Sequence, residues 1–147
     1  HAVDISETAT KMASENAKLN NLQDNMSFET INVFDLLPNI KNNEYDFIIL
    51  DPPAFTKSRK TIENAKKGYK QINYRAMKAL PRGGYLATCS CSHFMSEENF
   101  IKMLKDAAKD AGVRLRQIEK RQQSPDHPIL LNVNETDYLK FFIFQII

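Results

Sequence analysis

The chain has 147 residues, with 20 Lys plus Arg against 18 Asp plus Glu and a formal net charge of +2. That size suits one domain, and the balance does not by itself announce a polyanionic partner. Hydrophobic residues at 42% and charged residues at 26% exclude disordered, collagen-like and coiled-coil classes. No apolar stretch approaches the about 18 residues of a membrane span, and residues 1–20 lack a basic-then-apolar secretory pattern.

The chain opens at the end of a strand, Ala2-Val3-Asp4. Residues 6–20 read as a helix, with Ser6 as cap and Ala9, Met12, Ala13 and Ala17 at helical spacing. Residues 27–33 read as a strand. Residues 45–50 form a short apolar run ending at Asp51-Pro52-Pro53, as suits a strand covered on both faces of a parallel sheet.

Residues 61–80 read as a long basic helix, followed by a Pro81-Arg82-Gly83-Gly84 turn and a strand over 85–90. From Lys57 to Arg82 nine cations stand against Glu63 alone, a local +8. A solvated helix face explains most such runs. Contact with RNA or DNA, which would displace condensed counterions, is the competing expectation.

An amphipathic helix follows from about Ser96, with Phe100, Met103, Leu104, Ala107 and Ala108 on one face and Gly112 as its stop. Residues 113–118 and 138–147 are the last two strands. Alternating strands and helices imply an α/β fold with a mostly parallel, three-layer sheet. No glycine precedes Gly68 and the first residue is His1. A glycine-rich first βα unit, where such folds hold nucleosides, is therefore expected to lie upstream of this chain, which reads as one domain, 1–147, truncated at its N-terminus.

Ligands of parallel sheets sit beyond the carboxyl ends of the strands, and those ends read Asp4, Asp35, Asp51-Pro52-Pro53 and Cys89-Ser90-Cys91. Asp4 could accept the two hydroxyls of a ribose, or serve as an N-cap. Asp35 could instead favour a helix macrodipole. The two prolines stiffen the loop after Asp51, holding acceptors toward a planar base with Phe55 near enough to stack; a simple rigid turn is the alternative.

Cys89 is either a buried, inert thiol or a nucleophile whose pKa is lowered by the helix start near Ser96 or by the basic segment. Zinc on Cys89, Cys91, His93 and His127 competes poorly, because Cys-x-Cys-x-His is not a usual structural pattern; no metal is expected. Cys89 and Cys91 are too close for an ordinary structural disulfide, so a reducing, cytoplasmic setting is expected.

In order, Val3-Asp4-Ile5-Ser6, Phe34-Asp35, the segment from Phe47 through Asp51-Pro52-Pro53-Ala54-Phe55 to Ser58, Gly68-Tyr69-Lys70-Gln71, Gly83-Gly84-Tyr85 through Cys89 to His93, Asp126-His127-Pro128 and Glu135-Thr136-Asp137 resemble one family. They look like the catalytic domain of the S-adenosylmethionine-dependent bacterial large-subunit ribosomal RNA cytosine-5 methyltransferases, across essentially the whole chain. The resemblance implies a Rossmann-like class I methyltransferase three-layer sandwich, with an antiparallel last strand and the first βα unit outside the chain. It implies S-adenosyl-L-methionine as cofactor and ribosomal RNA as partner, with no membrane. A homodimer in which another copy fills the gap in the sheet is the accompanying expectation.

By position, the resemblance assigns Asp4 to the cofactor ribose and Asp35 to the adenine amino group, with Ile5 and Leu36 bracketing the adenine. Asp51 would face both methyl donor and base, and Cys89 would be the nucleophile that adds to cytosine C6. Pro52, Pro53, Phe55, Lys57, Arg59 and Lys60 would meet RNA. Two positions depart from the family: Ala54 stands where many relatives carry a second cysteine, and Asn134 where a proline is expected. The alternatives are methylation of an exocyclic amine, which needs no cysteine, and a non-catalytic RNA-binding or nicotinamide-binding remnant. The fragment alone is expected to be inactive.

Overall fold

The computed structural model describes residues 1–55 and 62–147, so the expectations for Lys57, Arg59 and Lys60 lie outside the described residues. The chain divides into two units, His1–Ile40 and Lys41–Ile147.

In the first unit, β1 (Ala2–Asp4) and β2 (Phe28–Thr30) pair in parallel, with Asp4 opposite Thr30. Helix α1 (Glu7–Leu19) starts where expected, because the Ser6 hydroxyl accepts the Ala9 N–H at 3.2 Å and so satisfies one of the orphan donors of the first turn. The Thr10 and Thr30 hydroxyls meet at 2.7 Å and tie α1 to β2.

The strand expected over 27–33 is shorter. The Asn32 side chain accepts the Phe34 N–H at 3.0 Å and starts a short helix, α2 (Val33–Leu36). Capping by Asn32 overrides the strand preference of Ile31 and Val33. Asp35 therefore sits in the first turn of α2 instead of at a strand end.

In the second unit, a four-stranded sheet has the order β3 (Phe47–Leu50), β4 (Tyr85–Ser90), β6 (Lys140–Ile146), β5 (Leu115–Arg121). β3 and β4 are parallel; β6 runs antiparallel to both β4 and β5, with an irregularity between Gln117 and Glu119. The antiparallel final strand matches expectation, and within this unit the sheet is mixed. β5 begins and ends later than the 113–118 read from sequence.

Helix α3 (Ile62–Ala79) buries Ala65, Tyr69, Ile72, Asn73 and Ala76, a spacing of three and four that defines one face. Helix α4 (Glu97–Ala111) does the same with Phe100, Met103, Leu104 and Ala107. Gly112 ends α4 at φ 71°, a left-handed conformation in which glycine has no Cβ to clash. Tyr69, Phe100, Phe142 and Phe144 form a continuous aromatic series, with successive ring centroids 5.8, 6.2 and 5.6 Å apart. Fully burying each such side chain contributes roughly 1.5–3 kcal/mol, and the series joins α3 and α4 to β6, the strand paired with β4.

The turn into β4 is built for close approach. A Cβ on Gly84 would lie 3.0 Å from the Pro81 carbonyl and 3.2 Å from that of Asp46. With that space open, the Tyr85 N–H donates to the Asp46 carbonyl at 2.8 Å, which fixes β3 against β4.

Candidate active site

The parallel register of β3 and β4 pairs Leu50 with Thr88, so the next residue on each strand, Asp51 and Cys89, meets its neighbour at the carboxyl end. The Cys89 thiol donates to Asp51 Oδ1 at 3.0 Å, with the Leu50 carbonyl at 3.6 Å. Asp51 is exposed and Cys89 is only 5% exposed. The pair therefore presents an open carboxylate over a recessed sulfur.

Burial, and then the hydrogen bond and negative charge of Asp51, push the Cys89 thiol well above its ordinary value. Both causes penalise the thiolate. This corrects the sequence expectation that the α4 start or the basic segment lowers the thiol: neither heads the balance at this sulfur. Cys89 rests as a protonated thiol beside an acceptor for its proton.

The loop Asp51-Pro52-Pro53-Ala54-Phe55 leaves β3 with no cis peptide bond. Phe55 is half-buried, and its ring packs on the ring of Tyr69, with centroids 4.7 Å apart and planes at 60°. Pro52 is half-buried and Pro53 exposed. Phe55 thus has a partner of its own within the fold, which the sequence did not reveal.

Beyond β4, Lys140 is 8% exposed, and its ammonium donates to the Ser92 and Tyr138 carbonyls at 2.6 and 2.7 Å. Burial lowers the pKa of this lysine. By holding Ser92 it fixes the segment that follows Cys89. A cavity of about 620 Å³ opens alongside, lined by His93, Ser96, Glu97, Lys120, Arg121 and Lys140 among others; it was not legible in the sequence because its walls come from three stretches far apart in the chain.

In the first unit, Asp4 closes β1 with an exposed carboxylate whose Oδ1 accepts the Ser6 N–H at 2.7 Å. Ile5 beside it is 73% exposed. A carboxylate next to a bare aliphatic side chain suits the two faces of a nucleoside, hydroxyl-bearing ribose and apolar ring. Asp35 is exposed and Leu36 half-buried on α2, which follows the neighbouring strand.

Lys66, Lys67 and Lys70 of α3 share a groove with Asn99 and Lys102 of α4. Lys102 lies outside the basic run recognised in the sequence, and helix packing alone brings it there. Lys70 is paired with Asp110 at 2.7 Å.

Residues 1–139 match the methyltransferase domain family. Among relatives, the ribosomal RNA large subunit methyltransferase I of Pseudoalteromonas atlantica is 40% identical over 99% of this chain and 38% of its own length. That of Aeromonas salmonicida is 43% identical over 94% of the chain and 36% of its own. The chain thus spans little more than a third of these relatives.

A solved methyltransferase complexed with SAH superimposes with a TM-score of 0.81 at 20% identity, covering 97% of this chain and 38% of that one. TrmN from Thermus thermophilus gives 0.64 at 23% identity, covering 99% and 36%. These likenesses show the fold, the Rossmann-like class I architecture of S-adenosylmethionine-dependent methyltransferases with a mixed sheet.

Proposed function

The chain belongs to the methyltransferase-domain family, and from that premise we propose that it is the catalytic portion of an enzyme that methylates cytosine C5 in large-subunit ribosomal RNA. The observation that carries this reading is the Cys89 sulfur 3.0 Å from Asp51 Oδ1 at the ends of adjacent parallel strands. The names of the relatives support the substrate class.

The residues of the first unit fit the cofactor: Asp4 would take the ribose hydroxyls, Ile5 and Leu36 the faces of the adenine, and Asp35 its amino group. When bound, S-adenosylmethionine would supply an electrophilic methyl group on a sulfonium. The chain's own part is to make cytosine C5 nucleophilic.

Asp51 accepts the thiol proton as the Cys89 sulfur bonds to C6, and the protonated carboxyl passes that proton to N3. The electron pair of the C5–C6 double bond is thereby made available at C5. After methylation the C5 proton leaves to solvent, the S–C6 bond breaks, and the N3 proton returns through Asp51 to the sulfur. Because the thiol pKa is raised, the proton leaves sulfur as the S–C6 bond forms, in concert with its transfer through Asp51 to N3, and no free thiolate precedes the addition. Typical general acid–base contributions of this kind are about 10²–10⁴-fold.

The target base must leave its stack to be reached from two faces, at a cost of a few kcal/mol. Phe55, Pro52 and Pro53 beside the pair, and the cations Lys57, Arg59 and Lys60, are the residues we assign to offset it.

The recessed, protonated state of Cys89 favours one rival, direct methylation of an exocyclic amine with Asp51 as acceptor and no covalent step. Mass spectrometry of RNA methylated by the full-length protein tests the choice. A methyl on the cytosine carbon supports the proposal, and one on an exocyclic nitrogen supports the rival.

A further inference from the structure

Asp51 and Cys89 stand on different segments, and their separation must be held for a proton to pass between them. Tyr69 touches both segments. Tyr69 of α3 is fully buried; its hydroxyl oxygen accepts the Ser90 hydroxyl at 3.0 Å and also the backbone N–H of Phe55. Ser90 is the residue after Cys89, and Phe55 lies four residues after Asp51.

The ring contributes as well. It meets Phe55 at 4.7 Å and Phe100 at 5.8 Å, the latter edge-on at 81°. Phe55 also lies over Gly68, its ring carbon 3.4 Å from where a Cβ would stand, an ordinary packing distance onto α3. Pro52 and Pro53 have fixed φ angles, and a placement imposed at Phe55 is transmitted back to Asp51 with little slack.

We propose that Tyr69 is a positioning residue for the Asp51–Cys89 pair, its single hydroxyl oxygen clamping the loop after Asp51 to the strand that carries Cys89. This rests on the reading of that pair as catalytic. Burial raises the Tyr69 pKa, so the hydroxyl remains neutral across the working range and the clamp does not depend on pH there. The ring packing alone could be supplied by phenylalanine; the hydroxyl serves the clamp.

The test uses the full-length protein with Cys91→Ser, leaving Cys89 as the thiol of this segment, and follows its alkylation by iodoacetamide as a function of pH. In Tyr69→Phe, Asp51 retreats from the sulfur, its contribution to the raised thiol pKa falls, and alkylation at pH 8 becomes at least about threefold faster, the larger thiolate fraction outweighing its lower intrinsic nucleophilicity. Methylation shows kcat about 10–100-fold lower with KM for RNA unchanged, the mark of misplaced reacting groups. Ser90→Ala, which removes the donor from the other side, shifts the profile in the same direction and serves as the readout should Tyr69→Phe fail to fold. Phe100→Leu loosens the same core without touching the hydroxyl and leaves the profile in place. A wild-type profile in Tyr69→Phe and Ser90→Ala, or an equal shift in Phe100→Leu, overturns the proposal. Alkylation needs neither RNA nor methyl donor, so its outcome is independent of whether cytosine C5 is the methylated atom.

Discussion

The Cys89 thiol points at the Asp51 carboxylate from 3.0 Å, across two parallel strands whose register makes the residues neighbours. The carboxylate both opposes ionisation of the sulfur and stands ready to take its proton. These two effects have opposite consequences when Asp51 is changed, and they can be measured apart.

Asp51→Asn removes a negative charge beside the thiol, so the Cys89 pKa falls, though burial, the larger cause, still holds it above the ordinary value. Alkylation of Cys89 at pH 8 accelerates in this variant. Methylation nonetheless drops by about 10²–10⁴-fold, because the proton acceptor is gone. Faster alkylation together with lost turnover is the expected signature, and unchanged turnover contradicts a role for Asp51.

The same thiol makes stability depend on pH. Its folded pKa is raised, so its contribution is fully present below the unfolded value of about 8.5 and is lost as pH rises above that value, where the unfolded chain ionises and the folded one does not. Urea unfolding midpoints of the wild type should fall between about pH 8.5 and 10, with a shallower fall in Cys89→Ser. Equal slopes would mean that the sulfur is not held protonated by the fold.

Lys140 illustrates a structural cation close to the site. Lys140→Met removes the donor that joins the Ser92 and Tyr138 carbonyls; the Ser92 carbonyl keeps the Met95 N–H, so the loss is that of hydrogen bonds to a charged group, roughly 1.5–3 kcal/mol. The variant should unfold at lower urea and lose turnover through the displaced Cys89–Ser92 segment. An unchanged midpoint would show that the ammonium does not brace that segment.

Much of this was legible in the sequence, for identifiable reasons. Helix α4 declares itself through Ser96, Gly112 and its apolar spacing, and β3 through an apolar run stopped by Asp51-Pro52. The α2 turn was hidden because the strand preference of Ile31 and Val33 masked the cap at Asn32. The direction of the Cys89 pKa was not readable, since it depends on burial beneath neighbouring strands. Nor was Tyr69, whose partners Phe55 and Ser90 lie 14 and 21 positions away in the sequence, beyond any helical or strand periodicity.

Asp4 offers a test of the cofactor assignment. Asp4→Asn keeps an acceptor for the Ser6 N–H while removing the charge proposed to face the ribose. Calorimetry of the full-length protein should show S-adenosylmethionine binding weakened about tenfold, or about 1.4 kcal/mol, with the thermal midpoint little changed. Unaltered affinity would place the ribose elsewhere.

The lysine groove shared by α3 and α4 adds an electrostatic prediction. Lys67→Ala and Lys102→Ala should weaken RNA binding across sequences and reduce the salt dependence of log K by about 0.7–0.9 per lost phosphate contact. A preserved slope would make these lysines a solvated face only.

Trapping with RNA carrying 5-fluorocytidine at the target position bears most directly on the covalent step. Fluorine at C5 cannot depart as a proton, so after methyl transfer the S–C6 bond has no route to break. With methyl donor present, the full-length protein should form a stable protein–RNA complex whose cross-linked peptide maps to Cys89 and disappears in Cys89→Ala. Efficient methylation of unmodified RNA with no trapped complex, or a complex mapping to Cys91, would contradict the account.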